Sequence, residues 1–262
     1  MFVVVVAYTA VSVSKVHAQA INLERQNQLA TLYQALVEDY GVKVRQFSLN
    51  RAQWQSVQTL RSLEEAVTAT TSVLIARDKT LITYFELLLQ VLEDTPGIEL
   101  TLKQESKTNL MARIEWLRNH EQASMKAVDR SSVNLRSDEF TAEAELLLQE
   151  ARKALMLIRV GRIQTIFDRA NGLYGRILER NAANPGSAVK EVERKRAYAQ
   201  VNVLREEIQL ELQTLRESLD AKTAPRGRVE ENYETIISSL ESPYANTSKY
   251  IFFLEELAQD SW

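Results

Sequence analysis

Seven glycines and four prolines are all the strong helix breakers in a chain of 262 residues, and between them apolar side chains recur three or four positions apart with few interruptions. That combination constrains the fold more than any motif does, because it favours long amphipathic helices over a strand-and-turn architecture. The pattern predicts an all-α fold: an elongated, mostly antiparallel bundle of five to seven helices with short connections.

The first helix is expected over about residues 22–39, with Leu29, Leu32, Leu36 and Val37 on one side and a stop at Tyr40-Gly41. The second begins near Asn50 with Trp54, Val57, Leu60, Leu63 and Val67. It passes or bends at the β-branched cluster 68–72, and continues through Leu74, Leu81, Phe85, Leu88 and Leu92 to Thr95-Pro96-Gly97. A third, over about 99–128, points Leu102, Leu110, Ile114, Leu117, Met125 and Val128 inward, and the polar stretch 129–138 reads as a loop. The fourth covers about 139–180 with a stripe of Ala144, Leu148, Leu155, Ile166, Leu173 and Ile177, and closes at Asn184-Pro185-Gly186. The fifth carries Val201, Leu204, Ile208, Leu212, Leu215 and Leu219 up to Ala224-Pro225-Arg226-Gly227. Val229, Tyr233, Ile236 and Leu240 follow, and Ser242-Pro243 starts a last helix with Ile251, Leu254 and Leu257.

At the N-terminus an apolar run from Phe2 to Val13 leads into Val16-His17-Ala18-Gln19-Ala20, an Ala-x-Ala ending. Residues 1–20 therefore read as a secretory signal peptide cleaved after Ala20, although no base precedes the apolar run and Lys15 lies late in it. A retained short membrane anchor is the alternative; the run is shorter than the roughly 20 residues that span a bilayer. Residues 21–262 contain no linker rich in Gly, Pro or Ser and read as a single helical-bundle domain. The expected location is exported: periplasmic, cell-surface or extracellular.

Cysteine is absent, which excludes disulfides, thiolate nucleophiles and Cys-ligated metals. Taking Lys15 from the 32 basic residues leaves 31 against 35 acidic ones after position 20, too balanced for a general nucleic-acid binder. The two histidines are His17 and His120, and without His17 the Glu-x-x-His pairs of a di-metal bundle cannot be assembled. No metal, cofactor or catalytic residue is predicted, and His120 reads as a surface histidine. Glu64, Glu65, Glu86, Glu93, Asp94, Glu143, Glu145 and Glu150 read as solvated faces and ion pairs, since carboxylate catalysis needs a cleft between two of them. Trp54, Trp116, Tyr84, Phe85, Phe140 and Phe167 are read as core or core edge. Tyr250, Phe252, Phe253 and Trp262 form either a sticky end or a docked helix, and Asn246-Thr247-Ser248 matches the glycosylation pattern.

One charge pattern rises above background. At 100° per residue Arg162, Arg169, Arg176 and Arg180 fall within about 40° of one another, while Asp168 and Glu179 point the other way. This ridge either meets an acidic partner, an envelope polyanion or lipid headgroups, or lays its stems on the core edge and pairs with Glu206, Glu207 and Glu211. Gly161, Gly172 and Gly175 lie in the same helix and are expected to project away from its apolar stripe, at a cost of about 1 kcal/mol each. They mark either a bend at Asn171-Gly172 or close approach by another helix or subunit. The function expected is that of an exported, non-catalytic helical protein acting in macromolecular interaction or as an envelope scaffold. Its partners are a protein, a polyanion or a second copy, with the membrane involved only if the N-terminal segment is retained. The alternatives are a small-ligand-binding helical module and a carboxylate-based enzyme.

Overall fold

A computed structural model describes residues 3–183, 188–219, 234, 235 and 237–259, with side-chain surroundings from Asn22 onward except at 188–190 and 259. They form six helices: α1 Val3–Val57, α2 Leu60–Asp94, α3 Leu100–Met125, α4 Arg130–Ala183, α5 Ala188–Leu219 and α6 Glu241–Gln259. No strand occurs among the described residues, and the protein is an all-α, cysteine-free helical bundle. The turns expected at Asn184-Pro185-Gly186 and Ala224-Pro225-Arg226-Gly227 lie outside the described residues, as do Val229, Tyr233, Ile236 and Trp262. The helices group into two compact units, residues 1–94 with 105–151 and residues 95–104 with 152–262, so α3 and α4 each supply both.

In the first unit α1 does not stop at Gly41 but continues to Val57. Position 41 has room for a side chain, with only Arg45 Nη1 at 3.9 Å from where a Cβ would lie, so the glycine costs propensity without being required by a turn. The half-buried residues Asn22, Gln26, Leu29, Tyr33, Leu36, Tyr40, Lys43, Phe47, Asn50 and Trp54 are spaced alternately four and three apart, the signature of a narrow helix–helix seam. Leu32 and Val37, expected on the inward side, are exposed. Helices α1 and α2 run in opposite directions. Asn22 Nδ2 donates to Asp94 Oδ1 at 2.7 Å, the Tyr33 and Tyr84 rings lie 5.4 Å apart, and Asn50 Nδ2 donates to the Glu65 carbonyl at 3.3 Å.

The break between α1 and α2 falls at Gln58-Thr59, eight residues beyond the expected start at Asn50. Gln58 takes φ 48°, and Thr59 and Ser62 cap α2 reciprocally: the Ser62 amide donates to Thr59 Oγ1 at 3.2 Å and the Thr59 amide to Ser62 Oγ at 3.1 Å. The β-branched cluster 68–72 does not interrupt α2. Thr70 and Ser72 turn their hydroxyls back to the Ala66 and Thr68 carbonyls, and Thr71 donates across to the Ala127 carbonyl at 3.1 Å.

Beyond α3, whose expected inward residues Met125 and Val128 are exposed, the segment read as a loop is already helix. Asp129 is its cap, with Oδ1 accepting from the Ser132 amide at 2.8 Å, and that bond holds the carboxyl below its usual pKa. Leu74, Phe85, Leu88, Leu92, Leu110, Leu117 and Leu147 are among the large buried apolar residues of this unit.

In the second unit the turn after α2 is set by two glycines. Gly97 has φ 76°, and a Cβ there would stand 2.4 Å from the Gly161 carbonyl oxygen. A Cβ on Gly161 would in turn meet Ile98 Cγ1 at 2.4 Å and the Pro96 carbonyl at 2.9 Å. Helix α4 runs without a break through Asn171-Gly172. Its buried side is not the stripe read from sequence. Leu148 and Ile166 are exposed, while Ala154, Met156, Leu157, Ile158, Val160, Phe167, Ala170 and Tyr174 are buried with Ile177. All of α5's expected stripe is buried, from Val201 to Leu219. Helix α5 runs opposite to α4: Tyr174 Oη donates to Asn202 Oδ1 at 3.1 Å, and Arg216 donates to Gln164. Helix α6 packs on α5 and buries Tyr250, Leu254 and Leu257, with Phe252 left exposed.

Candidate functional site

The first unit contains a polar centre that contradicts the reading of His120 as a surface residue. His120, on α3, is 4% exposed, and both ring nitrogens are engaged. Nδ1 lies 2.6 Å from Asp78 Oδ2 on α2, and Nε2 lies 2.8 Å from the Arg136 carbonyl on α4. A carbonyl only accepts, so Nε2 carries a hydrogen and donates it there; when Nδ1, facing Asp78, carries a second, the ring is an imidazolium bridging three helices. Burial opposes that charge, but the bonds to Asp78 and the Arg136 carbonyl, with the Asp78 charge, outweigh it. They raise the pKa above the ordinary histidine value despite the nearby Arg77.

Aromatic rings enclose the charges. Trp116 stacks on the imidazole at 5.0 Å and 17°, and Phe140 lies 6.0 Å away. The Arg77 guanidinium sits 3.2 Å from the Phe140 centroid while its Nε and Nη2 donate to Asp78 Oδ1 at 3.3 Å. An open cavity of about 420 Å³, lined by Trp116, Asn119, Ala123, Arg136, Glu139 and Ala142, reaches the ring of His120. With both nitrogens committed, His120 can bind a metal or act as a base only after a ring nitrogen has lost its hydrogen and broken one of these bonds. Its chemistry as placed is to hold α2, α3 and α4 together.

Many carboxylates of the first unit are engaged along helix edges, while Glu64 is exposed. Glu86 pairs with Arg118, Glu93 with Lys107 and Glu143 with Arg113, while Asp94 accepts from Asn22, Gln26 and Gln90 and Glu150 from Asn109. Among the described residues no group of three His, Asp or Glu is placed to hold a metal ion. Asn246, of the glycosylation pattern, lies inside α6 and donates to Glu211 at 3.2 Å.

On the second unit's stretch of α4 the four predicted arginines, Arg162, Arg169, Arg176 and Arg180, are all exposed. The α5 carboxylates that would have engaged them do not: Glu211 accepts instead from Ser242 and Asn246 on α6, and Glu206 and Glu207 are exposed. Among the described residues Arg162, Arg169 and Arg176 make no ion pair or side-chain hydrogen bond. Arg159, which sequence reading left out, is exposed one turn earlier on the same edge and is likewise without a partner among the described residues. Of the three glycines, Gly172 and Gly175 face open space, while Gly161 is buried against the turn 95–98.

The fold and these features define a helical bundle with a buried His–Asp centre in one unit and, on the other, an exposed arginine edge of which Arg159, Arg162, Arg169 and Arg176 have no partner among the described residues. Comparison with protein-family models, with curated proteins and with solved structures gives no match.

Proposed function

We propose that this chain is an exported, non-catalytic helical protein that acts in macromolecular interaction, as an envelope scaffold or adaptor, and that the α4 arginine edge is its working surface. The observation that carries this reading is the absence of any ion pair to Arg159, Arg162, Arg169 and Arg176 among the described residues. Charged heads that hold no neighbour are available to a partner, and as guanidiniums they suit carboxylate or phosphate oxygens. Export is supported by the apolar run and Ala-x-Ala ending of residues 1–20, and the remaining chain is read as an elongated, mostly antiparallel bundle. No helix among the described residues is long and apolar enough to cross a membrane.

Intact-mass and native-mass measurements on protein made with its own N-terminus in a secreting host test this directly. The expected result is cleavage after Ala20 and a defined assembly that dissociates when Arg169 and Arg176 are both changed to Glu. An uncleaved chain, or an assembly indifferent to those changes, contradicts it.

The second reading, a small-ligand module, is favoured by the cavity of about 420 Å³ beside His120. Its polar lining of Asn119, Arg136 and Glu139 is what orients a ligand in such a site. Glu139 already accepts from Arg136 at 2.7 Å, which leaves fewer free groups there than on the α4 edge.

A further inference from the structure

The edge of α4 has an order beyond its charge. Arg159, Arg162, Ile166, Arg169, Leu173, Arg176 and Arg180 succeed one another at intervals alternating three and four, and all are exposed except Leu173, which is half-buried. Ile166, which the sequence places in the core, is instead 40% exposed in the middle of this row. Alternating three-and-four spacing keeps side chains on one line of an α-helix and is the spacing at which a second helix packs alongside. Arg162, Arg169 and Arg176 thus repeat every seven residues, about 10.5 Å apart, with one apolar side chain in each interval.

From this arrangement, and resting on the reading of the edge as an interaction surface, we infer that the occupant of the α4 edge is an acidic amphipathic helix of a partner protein, laid along the row from Arg159 to Arg176. Two features of the row decide between this partner and other anions. A polyanionic chain or a headgroup layer would satisfy the arginines but would put charge or water over Ile166 and Leu173. A helix carrying glutamates on its heptad pattern with leucines between them satisfies both. Its carboxylates accept paired N–H bonds from the planar guanidiniums, and its leucines cover the two apolar residues. The near absence of acids from the row adds charge complementarity: Asp168, on the other side of α4, accepts from Gln164 at 2.6 Å. Gly172, on which a Cβ would meet nothing within 4 Å, borders the row and leaves the approach of a second backbone unobstructed.

The test uses the full chain and four defined probes. These are a fluorescent synthetic peptide of about four heptads with Glu and Leu in the complementary pattern, the same composition in scrambled order, inorganic polyphosphate, and phosphatidylglycerol vesicles. The patterned peptide is expected to bind at least about tenfold more tightly than the scrambled one. That binding should weaken with added salt, disappear in the triple variant Arg162→Glu, Arg169→Glu, Arg176→Glu, and fall in Ile166→Ser, a change that leaves every charge in place. Circular dichroism of both variants confirms that α4 is intact.

If polyphosphate or vesicles bind through the arginines and the order of the peptide makes no difference, the helical occupant is wrong while the edge remains an interaction surface. If no probe responds to the triple variant, the reading of the edge fails as well.

Discussion

His120 and Asp78 carry the plainest discrepancy between composition and placement. A lone histidine among exposed-looking polar neighbours is read as surface, yet the signal that it is buried is present in the spacing. Asp78 follows Leu74 by four and precedes Leu81 and Phe85 by three and seven, so it occupies a core position of α2, and His120 follows Leu117 by three on α3. What the sequence does not reveal is that the two positions meet, because that depends on the register of α2 against α3. Since the histidine's folded pKa is raised, the stabilisation it provides is fully present below the unfolded value of about 6.5 and is lost as pH rises through the folded value. Thermal midpoints should therefore hold steady below about pH 6.5 and decline above it. In His120→Gln this decline should flatten. Asp78→Ala leaves a buried imidazolium uncompensated and is expected to cost about 3–5 kcal/mol in urea unfolding at pH 6. A pH-independent midpoint in the unmodified protein would remove the imidazolium bridge from this description.

At the scale of single helices, legibility follows how one-sided the burial is. Helix α5 buries one clean stripe, and the sequence places every member of it correctly, Val201 through Leu219. Helix α4 is harder because Met156, Leu157, Ile158, Val160 and Gly161 are all buried, with Arg159 alone exposed among them, so no single stripe describes it. A stripe drawn through that stretch emerges rotated, which is how Leu148 and Ile166 were expected inside. Helix α1 fails differently: a glycine suggests a stop at position 41 that a seam continuing on both sides overrides. The glycines of α4 separate into two kinds that sequence cannot tell apart, and substitution distinguishes them. Gly161→Ala puts a methyl group into Ile98 and the Pro96 carbonyl and should lose about 1–3 kcal/mol. Gly172→Ala, in an unbroken and exposed turn of helix, should gain about 0.5–1 kcal/mol. Chemical-denaturation midpoints of the two variants should therefore move in opposite directions.

At the largest scale, the helical character of the described residues, their six helices and the turn at Thr95-Pro96-Gly97 are legible because breaker content and periodicity are local properties. The grouping into two compact units is not, since no linker marks it and α3 and α4 continue from one unit's residues into the other's. The α4 edge is legible as a line of charge, but whether its arginines serve the fold or something outside depends on where the α5 carboxylates turn. Glu211 turns to Ser242 and Asn246 instead. That arrangement is the basis for assigning the arginines to a partner, and equilibrium urea unfolding of Arg162→Gln, Arg169→Gln, Arg176→Gln tests it most directly. If the three side chains support no part of the fold, stability changes by no more than about 0.5 kcal/mol per site. A combined loss of more than about 2 kcal/mol would mean that the arginines hold the bundle together, and would contradict the account.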